Sequence, residues 1–193
     1  MTIKGMDHSL VRYVFLDRDG VLNRKMPEGA YIRDWAQFQW LAGADQAIAR
    51  MNRAGLTVIL VTNQRGIALG LYTHAQLEHI HANIQRHLAR HGARLDAVYY
   101  CPHNHGECHC RKPDIGLFEQ ALQQFPQANA QNSVVIGDSL SDIQAGQRLG
   151  MKTVFIKGEA DRQKAESAAA VALADAVAGS LLQAVEIHLG LVA

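Results

Sequence analysis

Two carboxylates stand two residues apart, Asp17 and Asp19, directly after the apolar run from Val11 to Leu16. On a tight loop that spacing lets both acids share one cation and one substrate. One can attack while the other transfers a proton. A second pair, Asp138 and Asp142, follows the run from Ser133 to Ile136 at i, i+4. Two such acids suit a hard divalent ion that prefers oxygen ligands, although Asp142 could instead cap or charge a helix start. Thr62, Asn63 and Gln64 follow a third run, Leu56 to Val61, and bring a hydroxyl and two amides able to hold anionic oxygens. Arg111 and Lys112 precede Pro113 and pair a bidentate fork with a point charge, a combination suited to an anion.

The three cysteines, Cys101, Cys108 and Cys110, fall within ten residues. An odd number in one cluster makes a poor disulfide framework and a good metal site. With His103 they supply three thiolates and one imidazole, a closed tetrahedral set expected to hold structural zinc with no position left to activate water. His105 and His109 lie in the same loop and compete as ligands. The loop runs straight into Arg111 and Lys112, so zinc would fix the segment that presents both cations.

Each polar group follows a short apolar run, and those runs alternate with helical stretches. This is the pattern of an α/β fold with a mostly parallel sheet flanked by helices. In such sheets the site lies at the carboxyl ends of the strands. Strands are expected at 11–16, 56–61, 97–100, 133–136 and 153–156. Ala44, Ala47, Ile48 and Met51 recur at helical spacing, with Gly55 as a stop. Thr73 opens a helix with Gln76 as its capping-box partner, and Leu77, Ile80, Ile84 and Leu88 line one face before Gly92 closes it. A helix is expected over Gly116 to Phe125, and another is capped by Ser141 and ended by Gly150. The Ala-rich tail is read as helices near 160–170 and 180–189. No repeat or linker interrupts 1–193, which is read as one domain. His74, His79, His81, His87 and His91 fall on one helix and read as its solvated face. Trp35 and Trp40 read as packing.

The chain has 193 residues, 48% apolar and 19% charged, with a formal net charge of +1. That charge leaves no basic field for nucleic acid and no acidic tail. No apolar run reaches about 18 residues, so no membrane span is expected. The first residues do not read as an export signal, which with the thiol cluster points to the cytoplasm. No coiled coil is visible, and a monomer is expected.

The order of acid pair, threonine, lysine and second acid pair, each at a strand end, resembles the haloacid dehalogenase (HAD) superfamily. The resemblance implies a Rossmann-like, essentially capless phosphatase. Asp17 would be the nucleophile and Asp19 the acid and base, with Thr62 and Lys112 stabilising phosphoryl oxygens. Magnesium would be held by Asp17, the Asp19 carbonyl and Asp138, with Asp142 supporting. More narrowly, LDRDGVLN (16–23), VTNQRGIA (61–68), CPH (101–103) with CHCRKP (108–113), and IGDSLSDIQAG (136–146) resemble the D-glycero-D-manno-heptose 1,7-bisphosphate 7-phosphatases over about Val11 to Lys157. That implies His103 as the fourth zinc ligand and a small sugar phosphate as substrate. Tyr31, Arg111 and Ser139 would touch it, beside Arg18, Asn63, Gln64 and Arg65. Histidinol-phosphate phosphatases share these features, and polynucleotide 3′-phosphatases share the fold. Two departures stand out: Arg65 replaces a common serine, with Leu69 in place of a common arginine, and the zinc loop is short.

Overall fold

Valine, isoleucine and leucine fill the central strands, and these are buried on both faces, as parallel strands covered by helices on both sides must be. The computed structural model describes residues 10–27, 29–158 and 166–192. The strands are β1 (Tyr13–Leu16), β2 (Thr57–Asn63), β3 (Ala97–Cys101), β4 (Ser133–Gly137), β5 (Lys152–Ile156) and β6 (Ala176–Ala178). They form one sheet in the order β3-β2-β1-β4-β5-β6, every pairing parallel. The order reverses between β1 and β4, where Leu16 lies in register with Ile136. The carboxyl ends of those two strands therefore open side by side, which is where ligands bind in such sheets.

The alternation along each strand divides the core. Val14, Leu16, Val58 and Leu60 face α1 (Ala44–Arg53), α2 (His74–Arg90) and α6 (Leu181–His188). Phe15, Ile59 and Val61 face α3 (Gly116–Gln124), with Phe15 and Phe118 at 5.3 Å between ring centroids. On that same side, α4 (Leu140–Arg148) packs on β4 and β5, and α5 (Ser167–Leu173) packs on α4. Between β1 and α1 the described residues hold only a short 3₁₀ turn, Trp35–Gln37, so no cap domain is inserted there. Trp35 stacks on Phe38 and Trp40 packs edge-on against it, in keeping with packing. None of the described helices is long and apolar enough to cross a membrane.

Four local expectations need correction. The helix near 160–170 is α5, which runs only over Ser167–Leu173; residues 159–165 lie outside the described residues. The strand β6 was not anticipated, because Ala-Val-Ala favours helix and only pairing with β5 makes it a strand. The cap of α4 is Ser139, not Ser141: its N–H and hydroxyl both reach Asp142. Finally, the histidines of α2 are not one solvated face, since His81 is buried.

Burial, reinforced by the Arg18 charge, lowers His81 to a pKa of about 3. A ring that stays neutral in the fold takes up its proton only when the chain opens. Its stabilising effect is thus complete above about pH 6.5 and is lost as pH falls from there toward 3. Between pH 7 and pH 5, urea unfolding should cost the wild type about 2 kcal/mol more than His81→Gln. Equal losses would mean that His81 can be protonated in place.

Candidate active site

Four elements deliver their polar ends to one cleft of about 920 Å³, lined by Asp17, Asp19, Asn63, Gln64, Lys112 and Asp138 among others. Asp17 follows β1, its N–H bonding to the Ile136 carbonyl of β4 at 3.1 Å. Its side chain accepts from Lys112 Nζ at 3.0 Å. Asp19 sits two residues on, held on several sides. It accepts from Arg18 Nη2 at 3.0 Å, Asn23 Nδ2 at 2.9 Å and Gln64 Nε2 at 3.0 Å. Burial pushes its pKa up, but Arg18 and the amide donors outweigh that, and the carboxyl lies below its ordinary value.

Directly after Asp19 the chain turns at Gly20, with φ of +90°. A Cβ there would collide with the Asp138 carboxylate. Gly20→Ala should therefore cost about 1–2 kcal/mol for the left-handed backbone alone and displace Asp138 as well. The urea midpoint should fall; an unchanged midpoint would refute the close approach.

Lys112 is buried; its ammonium donates to Asp17 Oδ1 at 3.0 Å and to the Val61 carbonyl at 2.6 Å, and it is ion-paired with Asp142 Oδ1 at 2.5 Å. Burial works against its charge, but Asp142 and Asp17 more than offset this and raise its pKa. Asn63 lines the cleft, but its amide is engaged with the Lys112 peptide. Its amide donates to the Lys112 carbonyl and its oxygen accepts from the Lys112 N–H, both at 3.0 Å. Gln64 is equally committed, to Asp19, to Thr62 Oγ1 at 3.1 Å and to the Tyr72 hydroxyl at 2.6 Å. Thr62 is buried beneath them. Asn23 and Tyr72 escaped the sequence reading. Both act through other side chains, and nothing in their spacing marks them.

Asp17, Asp138 and Asp142 each offer an oxygen within 4.8 Å of the others. Burial raises Asp138 to a pKa of about 7; Lys25 opposes the rise, while Asp17 and Asp142 add to it. Lys25 Nζ pairs with Asp138, and Asp138 in turn outweighs burial and raises the lysine. Three crowded carboxylates and hard oxygen donors fit a divalent cation such as magnesium. Asp142 is otherwise engaged, its Oδ2 with Ser139 and its Oδ1 with Lys112, which leaves Asp17 and Asp138 as the freer acids.

The outer lining carries Tyr31, Arg65, His105 and Arg111, while Ser139 is buried against Asp142. Arg65 Nε donates to Asn104 Oδ1 at 3.1 Å, and Arg111 Nη1 makes a long contact of 3.5 Å with the His103 carbonyl. Neither arginine has a carboxylate among its described contacts. Arg18 also lines the cleft, but it is buried and bound to Asp19.

Beside the cleft, Cys101, His103, Cys108 and Cys110 converge. Their sulfurs lie 3.1–3.5 Å apart, and His103 Nδ1 lies 3.4 Å from Cys110 Sγ and 3.6 Å from Cys101 Sγ. A tetrahedral zinc with bonds near 2.3 Å has edges of about 3.8 Å, so this set fits zinc after a small expansion. His105 turns instead to Arg111, and His109 lies outside the set.

Residues 109–184 match the HAD-hydrolase-like family model. The chain is 41% identical over 132 residues to the D-glycero-alpha-D-manno-heptose-1,7-bisphosphate 7-phosphatase of Mycobacterium tuberculosis, covering 68% of this chain and 69% of that protein. It is 36% identical over 170 residues to the D-glycero-beta-D-manno-heptose-1,7-bisphosphate 7-phosphatase of Vibrio cholerae, covering 83% and 89%. Among solved structures, the D,D-heptose 1,7-bisphosphate phosphatase of B. bronchiseptica, complexed with magnesium and phosphate, aligns with a TM-score of 0.80. Its identity is 31%, over 91% of this chain and 97% of that one.

Proposed function

Because the chain belongs to the heptose-1,7-bisphosphate 7-phosphatase family of HAD-type phosphatases, we propose that it removes the 7-phosphate of D-glycero-D-manno-heptose 1,7-bisphosphate through an aspartyl-phosphate on Asp17. The observation that carries this reading is the contrast between its two acids. Asp17 keeps one oxygen clear of Lys112, while Asp19 is locked by Arg18, Asn23 and Gln64.

In this reading the Asp17 carboxylate attacks phosphorus and the bond to the sugar oxygen breaks. Asp19 gives that oxygen its proton, then takes one from the water that attacks phosphorus and frees Asp17. Approach of the phosphate's negative charge raises Asp19 from its depressed resting state toward protonation. Lys112 and Thr62 face the equatorial oxygens, and Lys112 also orients Asp17. Magnesium, held by Asp17, Asp138 and the Asp19 carbonyl, would neutralise charge between an anionic nucleophile and an anionic substrate. Arg65 and Arg111 would meet the second phosphate, and Tyr31 the sugar. An arginine where relatives commonly carry serine adds charge at the rim and leaves the reaction centre alone.

The zinc loop belongs to the same reading as a structural element, in a cytoplasmic setting that keeps its thiols reduced. Chelating zinc should lower phosphatase activity at least about tenfold and lower the unfolding temperature by several degrees. Full activity in zinc-free protein, verified by metal analysis, would detach the loop from Lys112.

The test is phosphate release, with magnesium, from both anomers of the heptose bisphosphate, run beside histidinol phosphate. Release from a heptose anomer with little from histidinol phosphate supports the assignment. The reverse preference would keep the chemistry and overturn the substrate.

A further inference from the structure

Two histidines at the end of α2, His87 and the C-cap His91, pack together rather than scatter. His87 and His91 are one helical turn apart, so their side chains rise on the same face. The first turn of α1 brings Asp45 against them. His87 Nε2 lies 3.1 Å from Asp45 Oδ2. His91 stacks on His87 at 4.3 Å between centroids, and Trp40 stacks on His87 at 4.5 Å. One donor atom from each of Asp45, His87 and His91 lies within 4.8 Å of the other two.

The remaining atoms of these side chains are already occupied in a way that sets ligand geometry. His91 Nδ1 lies 2.8 Å from the His87 carbonyl, so that nitrogen carries the proton and Nε2 keeps its lone pair. A backbone carbonyl on the far ring nitrogen is the usual partner of a metal-bound histidine. Asp45 Oδ1 accepts from the Gln46 N–H at 2.8 Å, which leaves Oδ2 for a ligand. Trp40 pins the plane of His87. None of the three lines the catalytic cleft or belongs to the cysteine loop.

We propose that Asp45, His87 and His91 form a second metal site, built for a borderline divalent ion such as zinc or nickel. Two imidazoles and one carboxylate are the donors such ions prefer over magnesium, and three protein ligands leave the last position to water. The ion would tie the start of α1 to the end of α2, replacing the Asp45–His87 pair. His91 keeps its Nδ1 bond to the His87 carbonyl and offers Nε2, already within 4.8 Å of the other two donors, after a small closure of the set.

Trp40 supplies the readout, because a paramagnetic ion bound at His87 quenches a stacked indole. Nickel would be titrated into protein carrying its native metals while tryptophan emission is followed. Saturable quenching is expected. It should weaken at least about tenfold in midpoint for His91→Ala and for Asp45→Asn, as loss of a ligand requires, and stay unchanged for Asp138→Asn. His91→Ala should keep its phosphatase activity, which shows that the variant is folded. Absence of quenching, or quenching with an unchanged midpoint in His91→Ala, overturns the proposal. The cluster is then an ion pair under a ring stack.

Discussion

Asp17→Asn should yield a folded protein whose phosphatase rate has dropped by about 10⁴-fold or more, the scale on which loss of a covalent nucleophile is felt. The amide keeps the shape of the carboxylate but cannot attack phosphorus. Lys112 retains the Val61 carbonyl and Asp142, so its buried charge stays compensated. Mass spectrometry of acid-quenched wild type should detect one phosphoryl group on the peptide carrying Asp17, and none in the variant. Activity within a hundredfold of wild type would place the nucleophile elsewhere.

Lys112→Met is expected to be costly in both stability and rate. The ammonium is the charge between Asp17 and Asp142, and its removal leaves two carboxylates facing each other in a buried setting. Breaking a buried ion pair from one side costs about 3–5 kcal/mol. The rate should fall by about 10³-fold, as when a preorganised donor is taken from a developing negative charge. A double variant, Lys112→Met with Asp142→Asn, separates the two effects. Neutralising Asp142 should restore part of the unfolding free energy and none of the activity. If activity returned with stability, Lys112 would be a structural cation alone.

The sheet was legible because buried parallel strands write themselves as unbroken apolar runs, and each of five such runs became a strand. The strand ends were less so. Asn63 and Cys101 belong to their strands, because pairing between β2 and β3 carries the ladder past the apolar residues. The acids, Lys112 and the cysteine loop were visible as residue types with little other reason to stand where they do. What they hold onto was not. Asn63 and Gln64 read as ligands for anions, yet each is occupied with a neighbouring side chain or peptide. Sequence spacing reports which strand end carries an amide; the direction it points is set by a partner as far as 49 positions away. The histidines of α2 failed for a related reason. Helical spacing says which residues share a face, but Asp45 and Trp40 arrive from a different segment.

The reciprocal pair between Asn63 and the Lys112 peptide has a consequence for how this enzyme can change. Two parallel hydrogen bonds fasten the residue's main chain directly to the end of β2. The position of Lys112 is thereby held from two sides, by this pair at the end of β2 and by the cysteine loop that precedes it. Residues 104–107 lie between the ligands and are none of them, so exchanging them should leave Lys112 in place as long as Cys101, His103, Cys108 and Cys110 still converge. That makes the short segment between His103 and Cys108 a place where substrate preference can be rewritten by grafting, at little risk to the chemistry beneath.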